Sequence, residues 1–139
     1  MGNPGRRDDG LGGSLVERLE KLRLPGVACD ANYQLNVEDA LDCAGHDTVV
    51  FVDAARRLGR PFTFEPVEPD PAVPALSHAL GPAQVLAVAA GLTGKRPKAR
   101  LLAVRGHSFA VGEGLTARAE RDLAAALEFL VSFLKEARS

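Results

Sequence analysis

Apolar residues recur along this chain with two alternating periods. Four segments, beginning near residues 11, 37, 77 and 117, have apolar positions three or four residues apart, which predicts helices. Short apolar runs at 27–33, 48–52, 62–67 and 99–104 alternate with them and are typical of strands. This alternation favours an α/β fold in which helices cover both faces of a sheet.

Turn and cap residues mark the ends of several predicted elements. Pro25-Gly26 ends the first helix. Asn36 can cap a short helix over residues 37–43, and Thr116 can cap the long last helix. Prolines crowd the strand at 62–67, which predicts that this strand lies at an edge of the sheet.

Length and charge narrow the classes of protein that this chain can be. With 139 residues, 46% of them apolar, the sequence suits one domain over residues 1–139. The net charge of -1 gives no electrostatic reason to expect nucleic acid or an anionic membrane as partner. No apolar run approaches the roughly 20 residues of a membrane-spanning helix, and no signal peptide opens the chain. We therefore expect a cytoplasmic protein, and a monomer.

The sequence does not favour catalysis by a serine or cysteine nucleophile. Cys29 and Cys43, the only cysteines, lack the paired spacing of a metal site, so both are predicted to be reduced core or boundary residues. Ser77 neighbours His78, but adjacent helical residues do not point at each other. Ser108 lacks the context of a nucleophile elbow.

Two carboxylates and one imidazole stand at the ends of different predicted elements. Asp9 precedes the first helix, Asp53 follows the strand at 48–52, and His78 lies at the start of the third helix. In an α/β sheet these ends share one edge, where ligands bind. Carboxylate and imidazole suit a divalent metal such as nickel or zinc. The three residues are therefore candidate ligands.

Each candidate also has an ordinary interpretation. Asp9 can favour the dipole of the following helix, Asp53 can satisfy nearby amides, and His78 can lie at the surface. His107 follows the last predicted strand and can line the same edge, where it would contact substrate or support a ligand. Asn3 and Asp8 can orient the glycine-rich loop before the first helix.

Five short motifs, taken in order, resemble those of the hydrogenase maturation proteases. They are Gly2-Asn3-Pro4, Asp8-Asp9-Gly10, Val52-Asp53-Ala54, Ser77-His78 and Gly112-Glu113-Gly114-Leu115-Thr116. The resemblance runs over nearly the whole chain. It departs from the family at the start, because the strand and the first glycine that normally precede Gly-Asn are missing. Either Met1 is a late start inside a longer reading frame, or the protein manages without that strand.

The resemblance implies both a fold and an activity. The fold is a three-layer α/β/α arrangement with a twisted, mostly parallel sheet of the phosphorylase/hydrolase-like kind, with the family's first strand missing. The activity is that of a metal-dependent endopeptidase that removes the C-terminal extension of a nickel-iron hydrogenase large-subunit precursor after nickel insertion. That precursor is the expected partner.

The resemblance also implies the site residues. Asp9, Asp53 and His78 are the expected metal ligands and catalytic residues of a peptidase whose aspartates act at a metal site. The family often has glutamate at position 9, so Asp9 shortens that arm by one methylene. The metal is nickel recognised in the substrate, or another divalent metal such as zinc.

Two other functions remain open at this point. One is a non-catalytic nickel-sensing accessory module that docks on the precursor without cutting it. The other is a different α/β hydrolase or peptidase that acts on small peptides.

Overall fold

A computed structural model describes residues 2–31, 35–71 and 80–137 and confirms the predicted α/β class. A 3-10 turn over Arg7–Gly10 leads directly into the first helix. The elements are α1 (Leu11–Lys21), α2 (Val37–Ala44), β1 (Thr48–Ala55), β2 (Phe62–Pro66), α3 (Pro82–Thr93), β3 (Lys98–Arg105) and α4 (Ala117–Ala137). Within the described ranges, none of these helices has the length and apolarity that crossing a membrane requires.

The three strands form a mixed sheet in the order β1-β3-β2. At one end, the backbone N–H of Lys98 donates to the carbonyl of Asp47, and at the other, Gly106 donates to Ala55. The partner positions therefore advance together along the chain, and β1 runs parallel to β3.

The pairing of β2 with β3 has the opposite direction. Arg105 donates its backbone N–H to Pro61, whereas Val67 donates to Ala99, so one strand advances as the other recedes. This antiparallel strand lies at the edge of the sheet, as the prolines of the segment predicted. Pro66, which has no N–H to give, is tolerated at the end of an edge strand.

The prediction of a strand at 27–33 is wrong for residues 27–31, the part of this segment that the structure describes. Residues 27–31 have no regular structure, and the rest of the segment lies outside the described residues. Apolar, β-branched residues form a strand only when a neighbouring strand takes their backbone hydrogen bonds. No strand within 2–31, 35–71 and 80–137 pairs with this segment, and residues 2–6 contain no strand either.

The chain folds as two compact units. The first comprises Met1–Tyr33, Val52–Thr63 and Leu102–Ser139, and the second comprises Gln34–Phe51 and Phe64–Leu101. The single domain over residues 1–139 stays a prediction.

The core of the first unit forms where α1 and α4 contact each other. Leu11, Leu15 and Leu19 are buried at the four-residue spacing of one helix face. Each such leucine contributes about 1.5–3 kcal/mol when it is buried. The other core side chains are apolar residues of α4 and the strands: Val52, Leu102, Val104, Ala119, Leu123, Ala126 and Leu130.

The core of the second unit is built on the packing of α2 against α3. Its buried members are Ala40, Cys43, Phe51, Val85, Leu86, Ala89 and Ala99. α2 begins at a capping box in which Asn36 and Asp39 satisfy each other's backbone N–H, which confirms Asn36 as the cap. The described part of the third predicted helix begins at Pro82, and its expected start at Ser77 lies outside the described residues.

Candidate functional site

The turn over Arg7–Gly10 buries the carboxylate of Asp8 completely. Thr116 donates its backbone N–H to Oδ1 of Asp8 at 2.8 Å and its hydroxyl to Oδ2 at 2.9 Å. His107 and Ser108 donate their backbone N–H groups to Oδ2 at 2.6 and 2.8 Å. One aspartate therefore fixes the N-terminal turn against both ends of the loop that follows β3.

These donors decide the ionisation of Asp8. Burial alone would raise the pKa of this carboxyl, but the hydrogen bonds from Thr116, His107 and Ser108 outweigh burial, so the pKa is lowered. Asp8 is thus a buried, ionised carboxylate that accepts four hydrogen bonds, three at Oδ2 and one at Oδ1. Its hydrogen bonds hold the Arg7–Gly10 turn to the loop that follows β3.

A second carboxylate, that of Asp122 on α4, lies at the end of β3. Arg105 donates Nε and Nη2 to Asp122 at 3.0 and 3.4 Å, and Nε2 of His107 lies 2.8 Å from Oδ2. When the imidazole of His107 is neutral, Nε2 carries the donated proton and Nδ1 carries none. His107 therefore supports the site through Asp8 and Asp122.

The charges of this network lower the pKa of Asp122. Burial acts to raise it, and the hydrogen bonds from Arg105 and His107 together with their charges more than reverse that effect. Only 9% of the Asp122 side chain is exposed, so the pair with Arg105 is shielded from water. A carboxylate removed from water in this way needs such partners.

Asp9 follows Asp8 but has different surroundings. It is half-buried, and its Oδ2 accepts the backbone N–H of Asn3 at 2.9 Å. Asn3 in turn accepts the N–H of Gly5 through its side chain, at 2.9 Å. A Cβ atom on Gly2, where φ is 106°, would overlap the carbonyl oxygen of Asp9. The Gly-Asn motif therefore wraps closely around Asp9.

Asp53 lies within β1, two residues before the strand ends. Its Oδ1 accepts the N–H of Ala54 at 2.9 Å. Burial is the largest cause of its raised pKa; the hydrogen bond from Ala54 and the positive charge of the N-terminal amine act to lower this pKa, and the negative charge of Asp9 acts to raise it. The two carboxylates are therefore close enough to repel each other. Over residues 2–31, 35–71 and 80–137, no lysine, arginine or histidine forms an ion pair with either of them.

The structure thus brings together two of the three residues that the sequence selected. Asp9 and Asp53 belong to the same unit and share one electrostatic environment. His78 lies outside the described residues, so its place beside them stays a prediction. Cation binding by any of the three also stays a prediction.

The sequence reasoning did not identify Asp122, although the sequence carries a signal for it. Asp122 is buried on the face of α4 that also carries Ala119, Leu123 and Ala126. An acidic residue at helical spacing among core positions predicts a buried ion pair, because a lone charge there is costly.

The cysteines have the surroundings of unreactive thiols. Burial, with smaller contributions from Asp39 and Asp42, raises the pKa of the buried Cys43 to about 11. Burial, and then Glu20, raises the pKa of the half-buried Cys29. Since the thiolate is the nucleophile, neither residue suits cysteine catalysis.

Solved structures of two hydrogenase maturation enzymes and of an endopeptidase are similar to this chain over almost its whole length. The [NiFe] hydrogenase maturation protease HycI from Thermococcus kodakarensis KOD1 is 26% identical, with a TM-score of 0.73, over 96% of this chain and 88% of that chain. An endopeptidase from Escherichia coli is 31% identical, with a TM-score of 0.72, over 99% and 90%. The hydrogenase maturating endopeptidase HybD from Escherichia coli is 28% identical, with a TM-score of 0.67, over 98% and 89%.

The two other comparisons gave no match. No protein-family model matches this sequence, and no curated protein matches it. The assignment therefore depends on structural similarity at 26–31% identity over nearly all of both chains. This structural similarity agrees with the resemblance of the sequence motifs. The chain belongs to the hydrogenase maturation protease family.

Proposed function

We propose that this protein is an endopeptidase that removes the C-terminal extension of a nickel-iron hydrogenase large-subunit precursor after nickel has been inserted. The observation that carries the proposal is the pair formed by Asp9 and Asp53. Two carboxylates on different elements repel each other, and no basic side chain among the described residues forms an ion pair with them. Similar structures named as a hydrogenase maturation protease and a hydrogenase maturating endopeptidase support the endopeptidase activity.

The chemistry of this pair suits a divalent cation. A positive charge between Asp9 and Asp53 would remove the repulsion and the cost of burying Asp53 as an anion. Carboxylate oxygen and imidazole nitrogen are ligands that nickel and zinc both accept. We expect His78 to be the third ligand. Three protein ligands leave positions on the metal for groups of the precursor.

In this proposal the nickel belongs to the substrate. Asp9, Asp53 and His78 bind the nickel centre of the precursor, and the peptide bond to be cut is thereby held beside them. Water then adds to the carbonyl carbon, the C–N bond breaks, and the released amine takes a proton. Holding the reacting groups together removes much of the entropic cost of the reaction. A resident divalent metal such as zinc, bound by the same ligands, would supply an activated water.

The Asp8 network would keep this site in place. Because Asp8 is fixed by donors from Thr116, His107 and Ser108, the backbone of the adjacent Asp9 cannot move freely. Asp8 and His107 are therefore proposed as positioning residues. A ligand whose backbone is held in this way has little freedom to lose when the metal of the precursor binds.

Incubation with precursor tests the proposal. The purified protein is mixed with nickel-loaded or nickel-free large-subunit precursor, and the loss of the extension is followed by mass spectrometry. We expect cleavage only of the nickel-loaded form, and none with Asp53→Asn or His78→Ala. Asp47→Asn is the matched control, because Asp47 is an exposed aspartate that directly precedes β1.

The outcomes separate the alternatives. Cleavage that persists in both site variants would contradict a role for Asp53 and His78. Binding of the precursor without cleavage would indicate the accessory module instead. Cleavage of unrelated short peptides would indicate a peptidase of a different specificity.

A further inference from the structure

Arg7 adopts a backbone conformation that is unusual for an arginine. Its φ is 47°, in the left-handed region that residues with a Cβ rarely occupy. It directly precedes Asp8 in the Arg7–Gly10 turn. Strained residues persist only where the surrounding structure holds them, and they cluster at functional sites.

The loop after β3 holds Arg7 in this conformation. The backbone N–H of Arg7 donates to the carbonyl of Gly112 at 3.2 Å, and that of Asp8 donates to Ser108 at 2.9 Å. The aliphatic part of the side chain lies along Gly112, where an added Cβ would be 3.4 Å from Cγ and 3.5 Å from Cδ of Arg7. The loop after β3 thus holds both the backbone and the aliphatic part of Arg7.

One nitrogen of the guanidinium group at the end of this stem, Nε, lacks an acceptor. Nε of Arg7 is buried without a hydrogen-bond partner. Arg18 and Arg105 each pair with a carboxylate, whereas Arg7 forms no ion pair within the described ranges. The neighbouring Asp8 accepts four hydrogen bonds from other groups, and no ion pair joins it to Arg7 within the described residues.

A buried Nε–H without a partner is costly, whereas Arg7 as a whole is only half-buried, so its guanidinium is open to an acceptor from another polypeptide. We propose that Arg7 binds a carboxylate of the hydrogenase precursor and docks that polypeptide next to Asp9. The inference depends on the proposed function, because it requires a polypeptide substrate. Guanidinium pairs well with carboxylate, through parallel N–H donors that an ammonium group does not offer. The fixed stem reduces the entropy lost on binding.

Steady-state kinetics of precursor cleavage test this inference. Arg7→Gln is expected to raise KM by about tenfold and to leave kcat within about twofold of the parent value, as for a residue that binds substrate and transition state equally. Arg7→Lys keeps the charge and most of the stem and should recover part of the loss. Arg6→Gln is the matched control: Arg6 is exposed, adjacent, and identical in charge. Its KM should stay at the parent value.

The remaining outcomes overturn the inference. An equal rise in KM for Arg6→Gln and Arg7→Gln would show an effect of net charge alone. A fall in kcat at unchanged KM would place Arg7 outside substrate docking. Thermal unfolding checks that each variant is folded at the assay temperature, and Arg7→Lys replaces Arg7→Gln if the latter is not.

The experiment also distinguishes this inference from the proposed function. Normal cleavage with parent-like KM in Arg7→Gln would overturn the docking role and leave the endopeptidase standing. Failure of the unmodified chain to cleave nickel-loaded precursor would overturn both.

Discussion

Asp8 and Thr116 are 108 residues apart in the sequence, yet the threonine donates both its backbone N–H and its hydroxyl to the aspartate, at 2.8 and 2.9 Å. The same hydroxyl accepts the N–H of Ala119 at 3.2 Å and so caps α4, as the sequence predicted. One threonine therefore joins the start of the last helix to the turn that carries Asp9. The stability of the fold and the geometry of the candidate site depend on the same contact.

Asp8→Asn should destabilise the protein strongly. The amide keeps one acceptor oxygen but places an NH2 group where a second oxygen accepted a hydrogen bond, so buried donors are left facing a donor. We expect a loss of about 3 kcal/mol in the free energy of unfolding, measured by urea denaturation. Asp47→Asn, at an exposed aspartate, serves as control and should change stability by less than about 0.5 kcal/mol. Equal stabilities of the two variants would contradict the role of Asp8.

The two carboxyl groups whose pKa is lowered by folding should determine how the stability of the protein depends on pH in the acidic range. Asp8 and Asp122 both have a folded-state pKa below the value in the unfolded chain. Their contribution is therefore present above the unfolded pKa of about 3.9 and is lost as the pH falls through the folded values. Tm should drop steeply in this acidic range. The drop should be smaller in Asp8→Asn, and an unchanged profile in that variant would count against the lowered pKa.

Asp53→Asn should separate stability from activity. The folded-state pKa of Asp53 is raised, so its contribution to stability is present below the unfolded pKa and is lost as the pH rises through the folded value. At neutral pH and without added metal, removal of this charge should raise Tm. Because it also removes a proposed ligand, cleavage should fall by more than about 100-fold. A lower Tm with full activity would contradict both expectations.

Gly2→Ala should impair the site with little effect on the core. Its Cβ would overlap the carbonyl of Asp9, and its φ of 106° is unfavourable for alanine. The chain must then shift away from Asp9 and give up the hydrogen bond from Asn3. We expect a fall in kcat/KM for precursor of about tenfold or more, with Tm nearly unchanged, because no core side chain is involved. Gly13→Ala is the control, since nothing lies within 4 Å of the Cβ that it would add.

Sequence patterns correctly predicted the features that depend on contacts between residues close together in the sequence. Asn36 and Thr116 could be identified as caps because the residues that they cap follow within a few positions. The prediction of a strand at 27–33 was wrong for the described residues 27–31, because a strand also needs a neighbouring strand, which the sequence of the segment does not reveal. Periodicity describes one element at a time and says nothing of its partner.

The candidate site was predictable only in part, for a similar reason. Asp9 and Asp53 were selected by their motifs, but their mutual repulsion depends on the distance between two elements. The complete burial of Asp8 and the absence of an acceptor for Nε of Arg7 result from long-range packing. Consecutive residues of one turn thus have unrelated surroundings, which no pattern within that turn encodes.

The hydrogen bonds that fix Asp8 have a consequence for biosynthesis. During translation the N-terminal turn leaves the ribosome early, but the donors that fix it, at positions 107, 108 and 116, are made more than 90 residues later. Until then this acidic turn has no anchor, and closing so long a loop delays the ordering of the turn. A nascent chain that stops before Thr116 therefore lacks two of the four donors that fix Asp8, and the turn that carries Asp9 is ordered only after residue 116 has been made.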